Sequence, residues 1–135
     1  IDGLLMGSGS LRTVMGFTPW PYEKPVRVLS NSMTEGEIPE ALADKVRLLR
    51  GTPSAALTAL AGEGMKRVYL DGGQMITAFL REGLVQRLIV TRVPVLLGKG
   101  RPLYGDCGPQ RLRHLETQSW SNGFVQSTYA VSAEA

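Results

Sequence analysis

The sequence predicts an α/β domain: a mainly parallel sheet flanked by helices in three layers, with an antiparallel hairpin at its edge. Three observations carry this reading. Short apolar strand segments alternate with helical ones through the middle of the chain, the pattern of parallel βαβ units. Glycine-rich turns follow several of the strand segments. The chain closes on two strand-like runs joined by "SNG", where Asn122 and Gly123 supply the turn of a hairpin.

The elements follow in order. "GLLMG" is the first strand and ends at Gly7; a serine of "SGSLRTV" is placed to cap a short helix. "GFTPWPYEKP" carries prolines 19, 21 and 25 and must be irregular. "VRVLS" (Val26–Ser30) is the second strand, "NSMTEGEIPEALAD" reads as loop, and "KVRLLRG" holds a third strand. In "TPSAALTALAGEG", Thr52 is the N-cap and Pro53 the first helical residue, with Leu57, Leu60 and Ala61 on one face. "RVYLD" is a strand with Val68 and Leu70 on one side and Tyr69 on the other. "QMITAFLREG" is a helix through Met75, Ile76, Phe79 and Leu80, stopped by Gly83. "VQRLIVTRVPVLLG" (Val85–Gly98) reads as a long apolar strand with Pro94 near its end, and "GKGRPLYGDCGP" as a glycine-rich loop. No repeat, low-complexity stretch or linker interrupts the 135 residues, which are read as one domain.

Composition narrows the function. Hydrophobic residues make up 43% and charged residues 20%, the balance of a globular protein rather than a disordered one. No apolar run is long enough to span a bilayer and the first residues lack a basic leader, so a cytoplasmic protein with no membrane partner is expected. One cysteine, Cys107, excludes an internal disulfide. The net charge of +3 arises wholly after residue 80, where seven basic residues face four acidic ones. They are dispersed, as on solvated strand edges, and the aromatics do not alternate with them, so nucleic acid is not expected as a partner. One histidine and one cysteine cannot hold a zinc ion without several carboxylates, and no metal is expected. A Ser-His-Asp triad would have to use His114, inside a strand-like run, and Cys107 beside Asp106 has no neighbouring base or cation.

An anion site remains. Three glycine turns are placed after strands: "MGSGS", "DGGQM" and "LGKGRP". In open α/β sheets ligands sit beyond the carboxyl ends of strands, so these turns can converge on one cleft. None is a GxGxxG opening a helix and there is no GxxxxGK[ST]. Ser30 and Ser32, after another strand end, offer hydroxyls to an anion, and a plain loop explains them equally well. Two adjacent glycines, Gly72 and Gly73, suggest either a tight turn or a backbone that must approach a bound group closely.

The order of the pieces adds specificity. "LLMGSGSLRTVMGF", "WPYEKPVRVLSNSM", "KRVYLDGGQMITAFLREGLV", "LIVTRVPVLLGKGRPLYG" and "NGFVQSTY" together resemble the dihydrofolate-reductase-like superfamily. The branch is that of the riboflavin-biosynthesis reductase domain and its stand-alone bacterial relatives, and the resemblance covers essentially the whole chain. It implies a dihydrofolate-reductase-like mixed sheet, NADPH as cofactor, and hydride transfer to a small-molecule substrate. The substrate class is pterin-like or a pyrimidine-ribose, as for 5-amino-6-(5-phosphoribosylamino)uracil reductase. By the same resemblance Gly7, Ser8, Gly9 and Ser10 face the cofactor pyrophosphate, Ser30, Asn31 and Ser32 approach the adenosine 2′-phosphate, and Leu29 also belongs to the cofactor site. Asp71, Gly72, Gly73, Gln74, Met75 and Ile76 wrap the cofactor, Gly72 and Gly73 being often joined by a cis peptide in relatives. Thr91 looks into the substrate pocket, with Gly98, Gly100 and Leu103 at its mouth.

Two departures from the pattern are plain. Ser8 stands where many stand-alone relatives carry the arginine of G-R-G-T, which lowers the expected preference for NADPH over NADH. Relatives also begin several tens of residues earlier, with a strand ending in an "SLDG"-like motif that Asp2 and Gly3 do not match. The resemblance therefore implies either a shortened chain or a gap filled by a second copy, and a homodimer is expected. The family's substrate-side acid belongs to that earlier segment, so no catalytic residue is assigned. Two other readings stay open: a catalytically silent nucleotide-binding or scaffold protein, and dihydrofolate reduction proper.

Overall fold

The structure, a computed structural model, describes residues 1–132. The chain forms two compact units, Ile1–Ile76 and the residues from Thr77 onward. The first is built on four parallel strands: β1 (Gly3–Met6), β2 (Val26–Leu29), β3 (Val46–Leu49) and β4 (Val68–Asp71). Their order in the sheet is β3-β2-β1-β4. Helix α1 (Ser8–Val14) connects β1 to β2, helix α2 (Pro53–Gly62) connects β3 to β4, and helix α3 (Gly73–Arg81) follows β4.

Register explains which residues are buried. Leu4 pairs with Val26 and Met6 with Val28, and Val26 in turn pairs with Val46, so these side chains share one face of the sheet. They form a buried cluster with Leu11 and Val14 of α1 and with Met33 and Leu42 of the connection that follows β2; Trp20 and Tyr22 pack on its margin. The alternate residues face the other way. Arg27 is among them, and its guanidinium reaches Glu63 at the carboxyl end of α2, with Nη2 donating to Oε1 at 2.6 Å and Nε to both carboxylate oxygens at 3.1 Å. Helix α1 therefore covers one face of the sheet and α2 the other, which gives the three layers expected from the sequence.

The connection read as loop after β2 contains two short 3-10 turns, Glu35–Glu37 and Glu40–Leu42, the first tied by the Thr34 amide donating to Glu37 Oε2 at 2.7 Å. Helix α2 begins as expected, with Thr52 Oγ1 accepting from the Ala55 amide at 3.1 Å and Pro53 in first position. Its buried face differs from expectation: Ala56 and Leu60 are buried and Ala61 is exposed. Helix α3 starts at Gly73, one residue earlier than expected, and Gly83 follows it at φ +70° as the stop.

The second unit is a three-stranded antiparallel sheet of β5 (Arg87–Arg92), β6 (Arg111–Ser119) and β7 (Val125–Ser132), with β7 in the centre. The long strand expected from Val85 to Gly98 is thus confined to Arg87–Arg92. Pro94 has no amide to offer a ladder, and the Val95 amide turns back onto the Val93 carbonyl at 2.8 Å. Leu96 and Leu97 beyond this turn are exposed. The hairpin turn is as expected: Gly123 sits at φ +93°, its amide donates to Trp120 O, and Asn122 Oδ1 accepts from the Phe124 amide. A bulge between His114 and Glu116 shifts the β6–β7 register. Among the described residues no helix is long and apolar enough to cross a membrane.

Candidate functional site

The first unit has a topological break. From β1 the chain steps through α1 to β2 and on to β3 in one direction, then returns through α2 to β4 on the opposite side of β1. In an open parallel sheet the connections beyond two such neighbouring strands diverge to opposite faces and leave a crevice at their carboxyl ends. Here the crevice lies between Gly7, after β1, and Gly72, after β4. The register places Met6 beside both Val28 and Asp71, so the ends of β2, β1 and β4 lie level. Three neighbouring strand ends span about 10 Å.

The two glycine turns that flank the break are packed against each other. A Cβ on Gly72 would lie 2.9 Å from Ser10 Oγ, and one on Gly7 would lie 3.3 Å from Met75 Cγ. Gly72 has φ +100°, a conformation that strains any residue with a side chain. Gly72 makes the turn, and Gly73 opens α3. The cis peptides among the described residues are confined to Thr18–Pro19, so Gly72–Gly73 is trans.

Both helices that start here offer their amino ends to the crevice. The N-cap of α1 is Gly7, with no side-chain cap bond, which corrects the expected serine cap. The amides of Ser8, Gly9 and Ser10 open the first turn, whose N–H groups have no acceptor within a helix. Neither α1 nor α3 carries an acidic residue in its first turn. An anion at this edge meets the positive ends of both helix dipoles with no carboxylate on either first turn to repel it. Gly9 adds open space, since a Cβ there would meet nothing within 4 Å.

The segment after β2 is held firmly. Ser30 is buried and its Oγ accepts from the amides of Met33 at 3.0 Å and Ser32 at 3.3 Å, an ST-turn rather than a hydroxyl with free lone pairs. Asn31 clasps Gly51 at two points, its Oδ1 accepting from the Gly51 amide at 2.8 Å and its Nδ2 donating to the Gly51 carbonyl at 3.3 Å. Arg50, at the end of β3, donates from Nη1 to Ser30 O and from Nη2 to Met33 O. Arg50 was not among the residues expected at the site; its one signal is its place in "LLRGTP", directly after a strand whose carboxyl end shares this edge. Leu29 is half-buried at the end of β2, and Ser32 is exposed.

Asp71 pairs with Met6 and so faces the α1 side of the sheet. The Tyr22 phenol is pushed above its ordinary range by burial, and then by the Asp71 carboxylate and Tyr69. Gln74 is exposed, Met75 is buried against Gly7, and Ile76 is half-buried on α3. Two hollows on this unit lie elsewhere. One is lined by Glu35, Ile38, Val46 and Leu48, the other by Leu4, Tyr22, Lys24 and Tyr69. The candidate site is an open edge, not a closed pocket.

The residues assigned to substrate belong to the second unit. Thr91 is on β5, exposed, and its Oγ1 accepts from Gln126 Nε2 at 3.0 Å. Gly98, Gly100 and Leu103 lie in the irregular segment after β5, and all are exposed. The third glycine turn does not directly follow a strand, because Val93–Leu97 stands between Arg92 and Gly98. His114 is an exposed residue of β6 whose Nε2 lies 2.5 Å from Thr117 Oγ1, with Ser127 Oγ 2.9 Å beyond.

Residues 20–126 match the sequence profile of the RibD C-terminal domain. The chain belongs to the RibD C-terminal domain family. A crystal structure of a putative riboflavin biosynthesis protein from Shewanella sp. PV-4 is similar over 98% of this chain and 75% of its own, with 38% identity and a TM-score of 0.90. A pyrimidine reductase-like protein from Corynebacterium diphtheriae shares the fold over 97% of this chain and 76% of its own, at 19% identity and a TM-score of 0.71. YyaP of Bacillus subtilis (strain 168) is 38% identical over 66 residues, 47% of this chain; the chain spans 35% of that relative's length.

Proposed function

We propose that this chain binds NADPH along the carboxyl edge of its parallel sheet and serves a reductase acting on a pterin-like or pyrimidine-ribose substrate. The reaction would resemble that of 5-amino-6-(5-phosphoribosylamino)uracil reductase. The observation that carries the reading is the β1/β4 break, flanked by two helix starts free of acidic residues in their first turns. A pyrophosphate fits these donors: main-chain amides at Ser8–Ser10 and at the start of α3, with the hydroxyls of Ser8 and Ser10 beside them. Bound NADPH supplies the hydride. The chain's own residues orient the cofactor; each helix end contributes on the order of 0.3–1 kcal/mol toward a nearby anion, so affinity must come from many contacts summed. Family membership and the resemblance carried by "DGGQM" and "PVLLGKGRPL" support a reductase; Thr91, Gly98, Gly100 and Leu103 are assigned to the substrate on the same ground. A cytoplasmic location accords with this reading.

The test is a fluorescence titration of the purified chain with NADPH, repeated on Gly9→Leu. The side chain at position 9 enters open space, and leucine favours a helix over glycine by about 1 kcal/mol, so folding is kept. The expected result is saturable NADPH binding that weakens at least about tenfold in the variant, since about 1.4 kcal/mol of lost contact is a factor of ten. No binding by the parent chain, or equal binding by Gly9→Leu, would remove the support for this site.

A further inference from the structure

We infer that two copies of this chain pair edge to edge through β4, in an antiparallel register centred on Tyr69 that joins their two parallel sheets into one. The inference does not rest on the cofactor reading. Among the described residues β4 has β1 as its one neighbour in the sheet, so its other side is an edge. Successive residues of a strand turn their backbone groups to opposite sides. The Leu4 amide donates to Pro25 O beside β2, so Gly3 and Leu5 turn theirs toward β4. Their register partners Val68 and Leu70 then face outward, whereas the Arg67 carbonyl accepts from the Asp2 amide at 2.7 Å and faces β1. Val68 and Leu70 thus offer N–H and C=O groups at the open edge.

Edges that must stay single are blunted by charge, proline or a bulge. The β6 edge carries Arg111, Arg113 and the bulge at His114/Glu116, and β3 carries Arg47 in its middle. The middle of β4 is uncharged, and Tyr69 is 54% exposed. The β5 edge is uncharged in its middle too, but both its ends are arginines, Arg87 and Arg92, which a second β5 would bring together. Around β4 the charges are opposite: Arg67 precedes the strand and Asp71 ends it.

This pattern is complementary to itself. A two-fold axis through Tyr69, perpendicular to the sheet, sets Val68 opposite the partner's Leu70, and each such pair exchanges two backbone hydrogen bonds. The same axis sets Arg67 opposite the partner's Asp71. Tyr69 pairs with Leu4 and Asp71 with Met6, so both lie on the α1 face, and alternation puts Arg67 there as well. The opposite charges therefore meet on one side of the joined sheet. Moving the axis to Val68 or Leu70 keeps the bonding pattern but separates Arg67 from the partner's Asp71. Among the described residues neither side chain makes an ion pair within the chain. Asp2 Oδ2 accepts from the amides of Lys66 at 2.7 Å and Arg67 at 2.9 Å, which fixes the approach to β4 before any partner arrives.

The experiment follows dimerisation of the full chain by sedimentation equilibrium across the micromolar range, beside Arg67→Asp, Asp71→Arg and the double variant, with a melting curve for each. Each single change sets like charges opposite each other at both ends of the pair, and should weaken the dimer about tenfold or more. The double variant restores opposite charges and should recover most of the parent affinity. Hydrogen exchange on the parent needs no variant: the Val68 and Leu70 amides should slow as the dimer fills and exchange freely on dilution. A monomeric parent would overturn the inference. So would a dimer that the single changes leave unaltered, which would place the contact elsewhere, as on Val95–Leu97. A double variant no tighter than the single ones would show that the two charges do not face each other. Val68 and Leu70 amides protected in the monomer would show that the edge is covered within one chain, and would equally end the proposal.

Discussion

Gly72 concentrates what a single residue does at this edge. Its φ is +100°, and a Cβ added to it would sit only 2.9 Å from Ser10 Oγ, so a side chain there would be strained and would displace the Ser10 hydroxyl. Gly72→Ala should lower the unfolding free energy by about 1–3 kcal/mol, the usual cost of a forced left-handed residue, read from urea melts. An unchanged midpoint would mean that the turn relaxes freely. Arg27 and Glu63 pose the opposite problem, a buried cation held by one carboxylate at a helix carboxyl end, where a negative charge is otherwise disfavoured. The Arg27 hydrogen bonds hold the Glu63 carboxyl below its ordinary value of 4.5. A depressed folded-state value means that this contribution is complete above about pH 4.5, the unfolded value, and is lost as pH falls through the lower, folded one. Stability measured from pH 6 downward should decline below that point, and Glu63→Gln, already destabilised at neutral pH, should flatten part of the slope. Parallel slopes in the two proteins would count against the pair.

Among the elements, α2 shows how local chemistry sets a boundary. Thr52 caps it and Pro53 occupies the position where a missing amide costs nothing. Thr52→Ala should cost about 0.5–2 kcal/mol, checked by thermal melting, and Thr52→Ser should recover most of it. Helix α1 lacks such a device, because its N-cap is a glycine, and the same lack leaves its first amides available to a ligand. Strand β5 ends where Pro94 and the Val93–Val95 turn stop the ladder, although the apolar run continues to Leu97. Hydrophobicity alone cannot separate a strand from an exposed apolar segment, which is why the strand expected from the sequence is longer than the one that forms.

At the scale of the whole molecule the exposed apolar segment has a further meaning. We propose that the chain works as a homodimer, supported by the resemblance and by the exposure of Val95, Leu96 and Leu97. Exposed contiguous apolar surface of this kind is uncommon on monomers. Sedimentation equilibrium should return twice 14.6 kDa at micromolar concentration. A mass of 14.6 kDa across that range would end the proposal.

The sequence by itself determined the α/β class, the strand and helix of each βα step, the hairpin turn at Asn122–Gly123 and the glycine turns at the candidate site. These depend on short-range rules: side-chain period, caps, and the backbone freedom of glycine. The residues proposed to hold the cofactor, around Gly7, Ser30 and Gly72, were singled out through their order along the chain, because a family pattern is written in sequence order. Only the tertiary structure decided that β4 lies on the far side of β1 from β2, which turns two separate glycine turns into the walls of one crevice. Only it placed Arg50 over the Ser30 loop, twenty residues away in sequence. Strand order and contacts between strand ends arise from packing of distant segments, and no local pattern encodes them.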